Sequence, residues 1–544
     1  MKNVLGRLFM PRSDFAPDLG RTNTAVLPGC DLGSSGGAIP GDWFAEFGFG
    51  PHVQPRFPTI LAGFEHFAAL QPDAPAVECA GEVISYGALN AAADKVAHRL
   101  ADLGVGHGDG VGLYLKRSIA MVVGIFACMK LGAYYIPQHV GVATDKVLTH
   151  ISTVTGAKVV LTIAECADRF AVLDGQTQIV LDEVMAGPTA RARTGTSPLT
   201  PDDVCMVLFT SGTTGVPNGV QVTHKNLCNI LQTAPGDLGM KPGLRVGQIL
   251  SIAFDMAAWE TLGALSNGAT LVVRGRDIQE TASRVDVLIA TPSILGSLDA
   301  DACHQVKTAA VAGEPCPRPL ADKWGSFCDF YNSCGPTETT IINTAMLHRP
   351  DKDQLTIGKP TPNNTVYVLD EDLRPVAFGE RGVMWAGGDC VTAGYIGNPE
   401  LNAERYRPDP FRPGQMMFNT RDLGAWTETG ELLHYGRVDD LVKIRGFRVE
   451  LDGVSRALEA TEGCDQAVTL KFDDRTLVAF VSPGNVCPVE ARGHVARALP
   501  YYCCPAIVLP MDDLPKTARG KLDKRLLLDM AAEALTKAPL EAAE

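Results

Sequence analysis

Apolar residues recur along this chain in two periods, and the periods alternate. Runs such as VGLYL, KVVLTI, QIVL, VCMVLF, ATLVV, VDVLIA and KTAAVAG are short and nearly continuous in apolar residues, as buried strands are. Between several of them lie longer segments with helical spacing, including PTILAGFEHFAAL, ALNAAADKVAHRLADL and SIAMVVGIFACMKLGA. ISYG, just before the second of these, reads as a turn. The alternation predicts α/β layers with mainly parallel sheets from Phe57 onward. TVYVLD, VMWAGG and ELLHYGRV predict shorter strands of a small β subdomain. After GRVDD the pattern begins again. KIRGFRVELDGVSRALEATEGC reads as strand, turn and helix, QAVTLKF and TLVAFVS as strands, HVARALPYYCCP as a helix ending at Pro505, and AIVLP as a last strand. This predicts a compact α+β unit of roughly 95 residues, small enough to rotate as a rigid body. The expected divisions are an N-terminal extension over 1–56, a large core domain over 57–436, a small mobile domain over 437–530 and a tail over 531–544.

One stretch, 204–224, departs from simple layering. The strand-like VCMVLF runs directly into TSGTTG, where hydroxyls and glycines alternate, and a second short run, GVQV, follows. Thr223 is placed to cap a helix over KNLCNIL. A loop rich in Ser, Thr and Gly presents backbone N–H groups and hydroxyls with little bulk, which suits a polyphosphate. An ordinary polar turn between two strands is the alternative. The spacing is not that of a Walker A loop.

Composition narrows the partners. The chain has 544 residues, 46% of them hydrophobic and 20% charged, with a formal net charge of −14. That acidity argues against a general nucleic-acid or membrane-surface binder. No apolar run approaches the ~20 residues needed to span a bilayer. Arg7 interrupts the mildly apolar start, so no secretory signal is expected. The fifteen cysteines follow no C-x-x-C pattern, which fits reduced thiols in a cytoplasmic protein.

TSGTTGVPNGV, FDMAAWE, NSCGPTETT, GERGVMWAGG, NTRDLG, GRVDDLVKIRGFRVEL and LPKTARGKLDK occur in this order across roughly residues 57–530. In these segments the chain resembles the adenylate-forming superfamily of acyl- and aryl-CoA synthetases, luciferases and peptide-synthetase adenylation domains. It is most similar to a nonribosomal peptide synthetase amino-acid adenylation domain. The resemblance implies ATP and Mg²⁺ as cofactors and the reaction carboxylate + ATP → acyl-adenylate + pyrophosphate. It implies a phosphate loop of Thr210, Ser211, Gly212, Thr213, Thr214 and Gly215, with Thr210 and Glu338 toward Mg²⁺. It places Asn332, Ser333, Cys334, Gly335 and Thr337 around the nucleotide, Asn332 on the adenine amino group. Asp422 would grip the ribose hydroxyls, because a carboxylate accepts two hydrogen bonds. Arg437 lies nearby for ribose or phosphate, and Asp439 matches the hinge. Lys521 matches the lysine that bridges the substrate carboxylate and the forming adenylate; taken alone, such a lysine is an ordinary solvated one.

Asp255 decides the sub-family. It matches the aspartate with which amino-acid-activating domains bind an α-ammonium group, and a buried carboxylate needs such a partner. A helix N-cap for MAAWETL is the alternative. The same alignment lines the pocket with Met256, Trp259, Ala290, Ala310, Ala312, Gly313, Ser333, Ile341 and Ile342, with Asp255 and Lys521 at the polar end. Three alanines leave room for a large neutral side chain, aromatic before aliphatic. The acyl acceptor would be a phosphopantetheine thiol on a separate carrier protein, or CoA.

Three departures stand out. Asn218 replaces the usual loop lysine, Cys334 replaces an aromatic, and Arg421 replaces a glycine. IPQHVGVATDKVLTHI also lacks the family's usual proline and acidic spacing. An acyl- or aryl-CoA ligase without an ammonium to bind, and an inactive nucleotide-binding relative, are the alternatives to an amino-acid-activating enzyme.

Overall fold

The computed structural model describes residues 46–139, 144–170, 175–187, 199–210, 217–438, 441–515 and 522–537. Ser211, Gly212, Thr213, Thr214, Gly215, Asp439 and Lys521 lie outside the described residues. The fold is mixed α/β. A six-stranded sheet runs in the order Thr177–Val180, Val159–Thr162, Gly110–Leu115, Tyr134–His139, Val204–Thr210, Asn218–Thr223. Its first five strands are parallel and the last returns antiparallel. A nine-stranded sheet has a parallel centre, with Asp329–Cys334, Thr308–Val311, Val287–Ala290, Arg245–Gln248, Thr270–Val273 and Pro75–Cys79 side by side. Antiparallel strands close both its edges.

The helix Ile119–Met129 is buried from residue 120 to residue 129, since it packs against strands of both sheets. A helix apolar all round is what a position between two sheets requires. Phe126 stacks on Phe64 with ring centroids 3.9 Å apart. Thr223 caps the helix His224–Leu231, its hydroxyl accepting from the Asn226 N–H while the Asn226 side chain accepts from the Thr223 N–H. Asn364–Leu369, Gly382–Gly388, Tyr406–Pro408, Met416–Trp426 and Leu432–Arg437 form the small antiparallel sheet. Residues 48–53 drape along it, with Phe49 bridging to Thr365 and Gly50 N–H donating to Asn364 O at 2.8 Å.

The C-terminal region folds around a three-stranded sheet of Gln466–Lys471, Leu477–Ser482 and Ile507–Pro510. The helices Leu451–Glu459 and Pro488–Ala498 cover one face, and the helix Lys524–Lys537 packs on the other through Leu527 and Ala531. Three sequence readings change here. KIRGFRV is not one strand but an antiparallel hairpin, Leu441–Ile444 with Phe447–Glu450. Arg445 and Gly446 both take positive φ, 52° and 82°, which is how a two-residue hairpin turn follows strand twist. The helix in HVARALPYYCCP stops at Ala498 rather than reaching Pro505, because Pro500 holds Leu499 extended and Tyr501–Cys503 forms a separate short turn. ISYG is not a free turn: Glu82–Ser85 is an edge strand, and Ser85 caps the next helix. Among the described residues no helix is long and apolar enough to cross a membrane.

Candidate active site

A cavity of about 570 Å³ opens beyond the carboxyl ends of the central strands, where ligands settle in open α/β sheets. Its core wall comes from Leu208–Thr210, Ala253–Met256, Ala312–Cys316, Asn332–Thr337 and Asp422, and its other wall from Lys443, Gly446, Phe447 and Tyr502 of the C-terminal region.

Asn332, Cys334 and Gly335 stand on the strand Asp329–Cys334 and the turn after it. The Asn332 amide donates from Nδ2 to Thr356 O at 2.7 Å. Its Oδ1 is thereby left as an acceptor, the group an adenine amino requires. Gly335 leaves no room for a side chain, since a Cβ there would lie 2.6 Å from Ile342 Cα. Burial pushes the Cys334 thiol up to about 12, so it stays protonated. Leu355, Ile357 and Leu433 supply apolar surface beside it in place of an aromatic at 334.

Asp422 and Arg437 are register partners on neighbouring strands. Arg437 donates from one nitrogen to Asp422 Oδ1 and to Thr420 O, both at 2.9 Å, and His434 Nε2 lies 3.6 Å from the same carboxylate. Burial pushes the Asp422 carboxyl up, but the His434 contact and the Arg437 and Lys443 charges outweigh it and hold it at about 2. The group is ionised at any working pH and ready to accept two hydroxyls.

Glu338 is fully buried, and its Oε1 accepts from the Tyr395 hydroxyl at 2.6 Å. Thr210 ends a strand whose neighbour, Asn218–Thr223, packs on the turn carrying Glu338. Among the described residues no three His, Cys, Asp or Glu side chains converge as metal ligands. A Mg²⁺ brought on a triphosphate keeps most of its waters and needs only one or two protein oxygens. One carboxylate and one hydroxyl fit that demand.

Asp255 opens the helix Asp255–Ser266, whose N-cap is Phe254. Its Oδ1 accepts from Met256 N–H and its Oδ2 from the Thr337 hydroxyl, both at 2.7 Å. Burial raises its pKa, against the pull of Thr337 and Lys443. Asp255 is the first helical residue and not the N-cap, so the helix N-cap reading does not hold: Oδ1 takes the adjacent Met256 N–H and Oδ2 faces a hydroxyl at the cavity wall.

Met256, Ala312, Gly313, Ser333 and Ile341 line the cavity beside Asp255. Trp259, Ala290, Ala310 and Ile342 do not reach its wall. The Trp259 indole is fully buried and donates to Gly236 O at 2.6 Å. Ala290 and Ala310 lie within parallel strands with no exposure, and Ile342 is buried just past the site turn. Two wall atoms, Ser333 Oγ and Glu314 Oε1, are buried without a hydrogen-bond partner among the described residues. Sequence reading missed Glu314 and Tyr395; their segments, VAGEP and AGYIGNPE, carry no periodic signal that separates them from loop residues.

The departures acquire causes. The Asn218 side chain accepts from Asn398 Nδ2 at 3.1 Å, so it ties the loop's return strand to the segment before the helix Pro399–Arg405. Arg421 adopts φ +58°, a conformation glycine takes without strain, and pairs with Glu404. Thr340 and Ile341, both β-branched, also sit at positive φ beside Glu338, at 54° and 69°. Such strain persists only where surrounding structure imposes it, and it collects at functional sites.

The chain matches the family of AMP-binding enzymes over residues 64–396, more than half its length, and belongs to that family of adenylate-forming enzymes. It is 44% identical over 499 residues to adenylate-forming reductase 03009 of Coprinopsis cinerea, covering 90% of this chain and 48% of that protein. It is 32% identical to novobiocin biosynthesis protein H of Streptomyces niveus, covering 88% of this chain and 84% of that one. The chain thus spans about half the length of the reductase. In fold it is similar to holo-PA1221, a nonribosomal peptide synthetase protein with adenylation and carrier domains, at TM-score 0.79 and 22% identity over 87% of this chain and 84% of that one.

Proposed function

We propose that this chain activates an amino acid with a large neutral side chain as its aminoacyl-adenylate, then passes the acyl group to a phosphopantetheine thiol. One observation carries the reading. Asp255 is a half-buried carboxylate in the cavity wall, hydrogen-bonded only by a hydroxyl and an N–H, with no cation in salt-bridge contact among the described residues. An α-ammonium group supplies the missing charge.

In the first step a substrate carboxylate oxygen bonds to the α-phosphorus, the bond to the β-phosphate's bridging oxygen breaks, and pyrophosphate leaves. Thr210 and Glu338 would hold Mg²⁺, which when bound neutralises charge on the phosphates. By its match to the family motif, Lys521 would offset charge between the two reacting anions. In the second step the thiol sulfur bonds to the carbonyl carbon, the bond from that carbon to the phosphate oxygen breaks, AMP leaves, and the thiol proton passes to water. Met256, Ala312, Gly313 and Ile341 favour an uncharged side chain. One with a hydrogen-bonding atom would satisfy Ser333 Oγ.

Titration tests the ammonium site. The raised Asp255 pKa means that protonation removes the counter-charge at a higher pH than for an ordinary carboxylate. KM for the amino acid should climb as pH falls through that value, while KM for ATP stays flat, because Asp422 is held at about 2. If both constants moved together over that range, Asp255 would not be the amine ligand.

The hairpin at the cavity mouth supports the second step. Phe447 packs on Phe254 of the core, centroids 4.5 Å apart, and stacks on Tyr502 at 3.9 Å. A Cβ on Gly446 would lie 2.9 Å from Thr291 Cγ2. A clash of that kind costs about 1–3 kcal/mol. Gly446→Ala should therefore slow thioester formation about ten- to hundredfold, with pyrophosphate exchange retained. Asp439→Pro, at the hinge, should likewise spare adenylation and slow transfer. Equal loss of both half-reactions in either variant would contradict this use of the hinge and hairpin.

A second reading concerns the product's fate. The 44% identity to a protein named as an adenylate-forming reductase favours an acyl thioester that is reduced afterwards. Hydride transfer from a nicotinamide donor, releasing the thiol and an aldehyde, is the corresponding chemistry. Aldehyde formation by the full-length protein, given the amino acid, ATP and that donor, tests it.

A further inference from the structure

Cations gather at the carboxyl ends of strands from both large sheets. Leu115 and His139 are register partners in the six-stranded sheet, and Lys116 and Arg117 follow Leu115. Val273 pairs with Gln248 in the nine-stranded sheet, and Arg274 and Arg276 follow Val273. Arg117 joins the two sheets, donating to Leu250 O at 3.0 Å and to Ile249 O at 3.3 Å.

The acids nearby do not balance them. Glu165 pairs with Lys116 at 2.5 Å at the exposed edge. Glu260 is fully buried and accepts from Ile249 N–H, Leu250 N–H and the Gln248 amide. Arg274 Nε is buried with no hydrogen-bond partner among the described residues. Burial, then the charges of Arg117, Arg274 and Lys116, hold His139 down at about 4, which reports the same positive field. The cluster stands just behind the cavity wall, because Gln138, next to His139, and Leu250, bonded to Arg117, both line it.

We propose that Lys116, Arg117, Arg274 and Arg276 form a second phosphate seat behind the wall at this end of the cavity, separate from the Asp422 and Glu338 groups. A guanidinium with an unpaired buried N–H beside other cations is built for an oxyanion. Two sources share that chemistry: departing pyrophosphate and the phosphate of the pantetheine acceptor. The first needs only adenylate formation, while the second rests on the thioester reading above.

Arg274→Gln and Arg276→Gln in the full chain separate them, with Arg274→Lys as the charge-conserving control and pyrophosphate, pantetheine and 4′-phosphopantetheine as probes. If pyrophosphate is the occupant, its apparent affinity in the reverse reaction should fall about tenfold, with KM for the amino acid unchanged. If the acceptor phosphate is the occupant, KM for 4′-phosphopantetheine should rise by a similar factor while KM for pantetheine does not, and Arg274→Lys should recover most of either loss. Unchanged constants for pyrophosphate and 4′-phosphopantetheine, or equal losses for pantetheine and 4′-phosphopantetheine with pyrophosphate unaffected, would overturn the seat. If the parent chain used neither thiol, the thioester reading would fail and the pyrophosphate arm would still decide this one.

Discussion

Lys521→Gln is expected to cut ATP–pyrophosphate exchange about 10²–10³-fold, the loss that follows removal of one preorganised charge-stabilising donor. The expectation comes from TARGKLDK, where the resemblance puts Lys521 between two anions that must approach each other. Glutamine keeps length and hydrogen bonding but removes the charge. Transfer from a chemically supplied aminoacyl-adenylate should proceed near the parent rate, since the adenylate is then already formed and the hairpin residues Lys443 and Phe447 line the cavity. ATP affinity should change little, because Asn332, Asp422 and Arg437 remain. Equal loss of exchange and transfer would instead mark Lys521 as a structural residue.

Asp255→Asn should raise KM for amino acids about 10²–10³-fold, because the half-buried site leaves the substrate ammonium without its counter-charge at a cost of about 3–4 kcal/mol, the lower part of the range for a buried pair. Asparagine is nearly isosteric and keeps an acceptor for the Thr337 hydroxyl. The fold should tolerate it. A carboxyl whose folded pKa is raised contributes less stability as pH rises, so the variant's melting temperature at neutral pH should equal or exceed the parent's. KM for the matching acid without its amine should stay constant or fall. A variant that lost stability along with activity would trace the effect to the helix terminus and the Met256 N–H rather than to the ligand.

The layered fold was legible in the chain because its strands are short, nearly unbroken apolar runs and its buried helices keep helical spacing. Val204–Thr210, its return strand and the Thr223 cap follow directly from that pattern. The hairpin over 441–450 did not, since a two-residue turn inside an alternating run looks like one strand until Arg445 and Gly446 are both seen at positive φ. Pro500, not Pro505, ends its helix, and the nearer proline was the better signal.

At the site, residues adjacent in a motif converge as expected. Asn332, Cys334, Asp255, Met256, Asp422 and Arg437 all meet one cavity. Trp259, Ala290 and Ala310 do not, because helix rotation and sheet pleat decide which way a motif residue faces, and alignment carries no such information. Arg421 looked like a chemical departure and is a conformational one. Asn218 looked like a missing cation, and the structure adds what its side chain does instead, a hydrogen bond to Asn398. Glu314 and Tyr395 were invisible because their role depends on partners far away in the chain, Tyr395 finding Glu338 across 57 positions.

The central claim is that a protonated amine meets Asp255. Its most direct test is ATP–pyrophosphate exchange on matched acids, each large neutral amino acid beside the same acid lacking only the α-amino group, with the parent chain and Asp255→Asn. The account predicts exchange for at least one amino acid, little for its amine-free partner, and loss of that preference in the variant. Amine-free acids exchanged as well as or better than amino acids by the parent chain would contradict it.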